Sequence, residues 1–241
     1  MSAERPAFYA LRRGGWRDLI TLLHPPYTAW HLSYVAIGAA AAPHIYADRL
    51  GAALAAFALG VGVSAHAFDE LSGHPLQTSL SRRALIALGA GGLLGAVAIG
   101  VLGAVIVSPL LIPFVLAGGL LVPAYNLELV GGRLHNDATF ALAWGAFPAF
   151  IGYFANALEI RPEGVLVAAA CGLLSVAQRR LSTPVRELRR HTTGLTGEQR
   201  LDDGRVRTLD AGAVREPLEG ALSALWLALV LLAVGLVAVR L

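Results

Sequence analysis

The feature that most constrains this chain is a succession of apolar stretches, each about as long as a bilayer core is thick. LGAALAAFALGVGVS, residues 50–64, is the first part of one such stretch and carries no charge. A helix needs roughly 20 apolar residues to cross a bilayer, because each residue adds about 1.5 Å. Seven stretches meet that length: 19–43, 50–72, 84–106, 109–127, 136–157, 164–181 and 217–239. Pro109 and Pro113 interrupt one long apolar run and divide it in two. Gly and Ala recur within the stretches, as in AIGAAAA and ALGAGGLLGAVAIG, and small residues let helix backbones approach closely in lipid. The expected fold is therefore all-α: a single integral membrane domain over residues 1–241, a polytopic bundle of about seven spans. Only 15% of the 241 residues are charged, against about a quarter in soluble domains.

The arginines orient the spans. All 19 basic residues are arginine, and counted by successive loops they run 4, 1, 2, 0, 1, 1, 9, 1. Alternate loops thus collect 16 on the N-terminal side and 3 on the other. Cytoplasmic loops carry the excess of basic residues, so the N-terminus is expected in the cytoplasm and the C-terminus outside. This distribution answers to a membrane, and nucleic-acid binding has no support beyond net charge. Residues 182–216 read as a basic surface helix, STPVRELRRH, followed by a polar Gly-rich loop.

Against this background, AHAFDELSGHP (residues 65–75) stands out. It places His66, Asp69, Glu70 and His74 at the cytoplasmic end of the second span, where ionisable groups are costly unless they face a partner, a cavity or a ligand. The spacings i, i+3, i+4 and i+8 put all four on roughly one side of a continuing helix. Such a set can ligate a divalent metal or supply a catalytic acid and base. Other polar groups fall at the same membrane side: His24 before Pro25-Pro26, Tyr125 and Asn126 in VPAYNLEL, Arg82, and Gln178, Arg179 and Arg180 at the end of the sixth span. His31 reads as a core imidazole or a cavity lining. His135, Asn136 and Asp137 read as a loop with an N-cap before the fifth span. The one cysteine, Cys171, excludes an internal disulfide.

The order of LLHPPYTAWHLSYVAIGAAAA, GVSAHAFDELSGHPLQTSLSRRAL, VPAYNLEL and NDATFALAWGAFPAFIGYFA, over roughly residues 19–190, resembles the UbiA superfamily of intramembrane prenyltransferases. The resemblance implies transfer of an isoprenyl group from a diphosphate donor to a lipid or aromatic acceptor at the cytoplasmic face. It implies catalytic roles for Asp69, His66 and Tyr125, and substrate contacts from His24, Asn126, Arg82, Gln178, Arg179 and Arg180. It implies Mg2+ at a metal site drawn from Asp69, Glu70, His66 and His74. The chain departs from the family's motifs in definite places. Ala65 and His66 stand at the Asn-Asp pair, Gly73 at the last aspartate of the first motif, Leu129 at the lysine and His24 at the opening arginine. AQRRLSTPVRELRR replaces the second aspartate motif, and seven spans stand against nine. Arginines taking over diphosphate charge fit these departures. So do a His/Asp site with other lipid chemistry, a non-catalytic lipid-binding or partner protein on the same scaffold, and, less directly, a small transporter.

Overall fold

The computed structural model describes residues 5–241. Six of the seven expected spans are seen as helical stretches and the first is divided in two, the elements running in chain order as follows. An irregular N-terminal segment leads into α1 (Trp16–Leu22) and α2 (Pro25–Ala41). The second span, 47–73, is α3 (Ala47–Phe57), a π segment (Ala58–Ala65) and α4 (His66–Gly73). Next come α5 (Arg82–Ile106), then a 3-10 turn (Pro109–Leu111) leading into α6 (Ile112–Asn126). The fifth span is α7 (Asp137–Phe140), a second π segment (Ala141–Ala146) and α8 (Phe147–Ala157). After α9 (Pro162–Arg190), strands β1 (Thr196–Arg200) and β2 (Val206–Asp210) form an antiparallel hairpin before α10 (Ala211–Arg240). Six of these helical stretches are long and apolar enough to cross a membrane. The protein is a helical membrane bundle, and α2, at 17 residues, lies buried near its centre through Trp30, His31, Tyr34, Val35 and Gly38.

Four features differ from the sequence reading. The first stretch does not run unbroken from residue 19. His24 adopts a left-handed conformation (φ 45°), and Pro25-Pro26 then start α2 as a new helix. The detached α1 exposes Trp16, Leu19, Ile20 and Leu23 on one side and buries Asp18, Thr21 and Leu22 on the other, the pattern of a helix lying in the membrane interface. The expected surface helix at 182–190 is the continuation of α9, which passes through Pro184 without ending. The expected loop after it closes as the exposed β-hairpin, turning at Gly204 (φ 82°), and the last helix begins at Ala211 rather than 217.

Glycine sets the tightest contact. A Cβ on Gly38 of α2 would fall onto the carbonyl of Ala149, and one on Gly152 of α8 onto the carbonyl of Val35. These two positions let the α2 and α8 backbones touch, the small-residue packing that lipid favours.

Among the described residues, the first and the last lie at opposite ends of the bundle. Arg189 and Arg190, at the end of α9, donate to the carbonyls of Arg5 and Pro6 (both 3.2 Å). Arg240 donates to the carbonyls of Ala42 and Pro43 (2.6 and 2.9 Å) at the other end.

Candidate functional site

The polar groups gather where two spans change their winding. A π turn leaves a carbonyl out of the regular ladder, and such turns concentrate at functional places. Here each π segment gives one carbonyl to a histidine. His66 Nδ1 lies 3.1 Å from the carbonyl oxygen of Gly62 in the first segment. His31 Nδ1 lies 2.6 Å from that of Trp144 in the second. A carbonyl only accepts, so the His31 imidazole carries its proton on Nδ1 and its Nε2 keeps a lone pair, whereas His66 faces two carbonyls, those of Gly62 and Leu23. The His66 ring stacks on His24, with centroids 4.1 Å apart and planes at 16°. His24 Nδ1 in turn meets the Tyr9 hydroxyl at 2.7 Å. Burial, then the neighbouring His66, Arg190, Arg186 and His31, hold the His24 imidazole well below its ordinary pKa, in its neutral form.

Asp69 faces this group from α4. His135, Arg186, Arg190 and Glu70 lie within its electrostatic reach. Arg186 is likewise close to Arg179, Arg190 and Tyr27. Three arginines therefore meet two carboxylates, Asp69 and the Asp137 that pairs with Arg179, and positive charge is in excess by one. Tyr125 is buried beside them. Its hydroxyl accepts from Arg179 (2.9 Å), its ring stacks on His135 (4.5 Å), and it meets Trp144 edge-on (5.6 Å). Arg179 is further fixed by an ion pair with Asp137 and by the ring of Phe140 beneath its guanidinium (5.0 Å). Gln178 is buried next to Tyr27, and its Oε1 has no hydrogen-bond partner among the described residues.

Trp144 is also the floor of an apolar cavity of about 170 Å³. The cavity lies between α3, α5, α6 and α8, with Gly60, Leu93, Gly100, Phe114, Gly118 and Phe147 among its walls. Its lining runs from Arg49 to Val61 along one span, about 18 Å at a helical rise of about 1.5 Å per residue. Val61, Val122, Ala143 and Trp144 belong both to this lining and to the packed cluster that holds Tyr125. These residues thus border both an apolar space and the cluster that holds Tyr125.

Several expected site residues stand elsewhere. His66, Asp69, Glu70 and His74 do not converge as a set, although His74 Nδ1 lies 3.4 Å from Glu70 Oε1. The helix ends at Gly73 and His74 turns left-handed (φ 48°), leaving its side chain 60% exposed. Glu70 is buried but turned to the following loop, where it accepts from Leu76 N (2.9 Å), Thr78 N (2.7 Å) and Thr78 Oγ1 (2.9 Å). It fastens residues 74–78 rather than a ligand. Asn126 is occupied within its own helix, donating to the Val122 carbonyl (2.7 Å). Arg82 and Arg180 are exposed on outer faces. Asp69, His66, His24, Tyr125, Gln178 and Arg179 do come together. Sequence reasoning passed over Tyr9, Tyr27, His135, Arg186 and Arg190. Of these, the arginines carried a readable signal: 179, 186 and 190 are spaced i, i+7 and i+11, one face of an unbroken helix.

The residues do not fit a metal pair. Among the described residues no three His, Cys, Asp or Glu side chains are grouped to hold a metal ion. Asp69 is left as a single carboxylate because Glu70 is committed to the loop. Comparison of the chain with family models, with curated proteins and with solved structures finds no match.

Proposed function

We propose that the protein is a divergent isoprenyl transferase of UbiA-like architecture that binds an isoprenyl diphosphate with the headgroup in the cationic cluster and the chain in the apolar cavity. The observation that carries this reading is adjacency: Trp144 lines the cavity and meets the ring of Tyr125, whose hydroxyl accepts from Arg179. Arginine is suited to phosphate because its planar fork stays charged at any relevant pH. Arg179, Arg186 and Arg190 stabilise the negative charge that develops on the leaving diphosphate, a role given to them because the carboxylates do not fit a metal pair. The donor's C–O bond breaks and its electron pair leaves with diphosphate. The allylic cation is held near the aromatic faces of Tyr125, Trp144 and Phe140. The acceptor's electron pair forms the new bond, and its displaced proton passes to Asp69, beside His66. The arginine-rich end faces the cytoplasm by the positive-inside rule, with α2 counted as the seventh span.

The test is incubation of the protein in nanodiscs with labelled geranylgeranyl diphosphate and a panel of lipid and aromatic acceptors, with magnesium or with chelator. The expected result is diphosphate release that persists in chelator and is lost in Asp69→Ala and Arg186→Gln. Tight binding without release under any condition would favour the lipid-binding reading. Absence of both binding and release would rule out an isoprenyl diphosphate as the ligand.

A further inference from the structure

The N-terminal segment lies across the mouth of the polar cluster. Residues 5–13 have no regular secondary structure, yet Ala7 and Ala10 are 8% and 1% exposed and pack with Leu76 and Tyr9. An irregular segment is not buried this way by its own hydrogen bonding, so its tethers are informative. The Leu11 amide donates to Thr21 Oγ1 (3.0 Å), and the Tyr9 hydroxyl meets His24 Nδ1 (2.7 Å). From the far side, Arg189 and Arg190 hold the carbonyls of Arg5 and Pro6.

Where the segment sits matters more than that it is held. Tyr9 packs against His24 and Tyr27 (centroids 5.4 and 5.7 Å) and lies within electrostatic reach of Asp69, Arg186 and Arg190. It is therefore a wall of the same site. Arg190 serves both sides: Nε donates to the segment, while its charge acts on Asp69. A guanidinium bonds a phosphate oxygen more strongly than a neutral carbonyl, because both partners are then ionised.

We propose that residues 5–13 form a lid over the cytoplasmic mouth of the site, and that the lid and an anionic headgroup compete for Arg190. The lid is closed when the site is empty. A bound diphosphate draws Arg190 inward, releases the Pro6 carbonyl and loosens the segment, so Tyr9 is exchanged between the protein and the ligand. The competition rests on the anionic-headgroup reading above; the closed state does not.

Site-directed thiol labelling separates the two. In a Cys171→Ala background, Ala10→Cys places a thiol on the buried side of the lid, Ala7→Cys serves as a second buried position, and Arg12→Cys provides a reference on its exposed side. In the absence of ligand, maleimide should label positions 10 and 7 at least about tenfold more slowly than position 12, equivalent to about 1.4 kcal/mol of closure. Equal rates at all three would overturn the lid whatever the ligand. Adding Tyr9→Phe or Arg190→Gln should raise the rate at position 10 severalfold; no change in either would overturn the assigned tethers. Saturating geranylgeranyl diphosphate should also raise it, and inorganic diphosphate should do so at higher concentration. Calorimetric binding of the probe with an unchanged labelling rate would overturn the competition alone. No calorimetric binding would overturn both the competition and the headgroup reading, while slow labelling at positions 10 and 7 would still stand for the lid.

Discussion

The two long faces of α8 pack in opposite ways. One face meets α2 so closely that Gly38 and Gly152 admit no side chain, and Tyr153 and Ala149 are fully buried beside them. The other face, with Phe147, Ile151 and Ala155, borders the apolar cavity. One helix thus serves as a rigid joint on one side and as the wall of a space on the other. The second π segment immediately precedes it, and there the closed face opens into His31 and the histidine cluster. Rigid packing fixes the helix, and the shift in winding lets its inner end present Trp144 to two compartments.

Substitutions at the two interfaces of α8, one on the helix itself and one on α6 opposite its cavity face, should therefore behave differently, and the largest difference comes first. Gly152→Leu forces a side chain onto the Val35 carbonyl and should abolish folded monomer in detergent size-exclusion chromatography. On the cavity side, a Cβ at Gly118 meets Phe147 only at 3.6 Å, ordinary contact. Gly118→Leu should therefore yield folded protein while filling the cavity. Folding losses of equal size in the two variants would break the distinction between the faces.

Of the charged residues, Arg186→Gln removes a hydrogen-bonding charge that faces the site. Its expected effect on geranylgeranyl diphosphate affinity is about 10- to 100-fold, the range for lost bonds to charged groups of about 1.5–3 kcal/mol. Arg82→Gln and Arg180→Gln, on exposed faces, should leave the affinity within about twofold, since isolated surface charges contribute little. Surface plasmon resonance on the three variants checks the ranking.

His31→Ala should act on stability. It leaves the Trp144 carbonyl buried without its donor, at a cost of about 1–3 kcal/mol. Loss of less than that in denaturant titration would mean that the π turn relaxes to an α-helix and re-pairs the carbonyl.

The smallest effect is pH dependence. His24 is held neutral by burial and by its cationic neighbours, so its folded pKa lies below its unfolded value near 6.5. Protonation then favours the unfolded chain. The contribution of His24 is fully present above about pH 6.5 and is lost as pH falls through the folded pKa. The melting temperature should drop between pH 7.5 and pH 5, and His24→Gln should reduce the drop. A carboxylate effect enters separately at lower pH. Burial disfavours the charged form of Asp18, but the Ser79 hydroxyl and amide, Gly14 and Arg13 hold its pKa below the usual range.

The spans were legible because length without charge is a one-dimensional signal. Even the division at Pro109 is there, as the turn that opens the fourth span. Part of the site was legible for a similar reason: His66, Asp69 and Tyr125 are polar residues at the ends of apolar runs. What escaped was whatever depends on winding or on contacts distant in sequence. The π segments in ALGVGVSA and ALAWGA have no distinguishing composition, yet they decide where His66 and His31 bond. Glu70 looked like a ligand because its spacing from His66 is helical, and only the return of residues 74–78 shows what it holds. Pro184 suggested a helix start and so hid the arginine face of α9. Tyr9 was invisible because nothing in an irregular N-terminal segment announces which cavity it covers.

The central claim is that the cationic cluster and the apolar cavity hold two parts of one molecule. The direct measurement is a calorimetric comparison of geranylgeranyl diphosphate with its separate halves, geranylgeraniol and inorganic diphosphate, on the full-length protein in nanodiscs. If the compartments are occupied together, the whole amphiphile binds at least about 100-fold more tightly than either half, a difference of about 2.7 kcal/mol, and Gly118→Leu and Arg186→Gln each remove a large part of that gain. If geranylgeraniol binds as tightly as the diphosphate, and neither variant alters the difference, the two compartments do not share a ligand and the account is wrong.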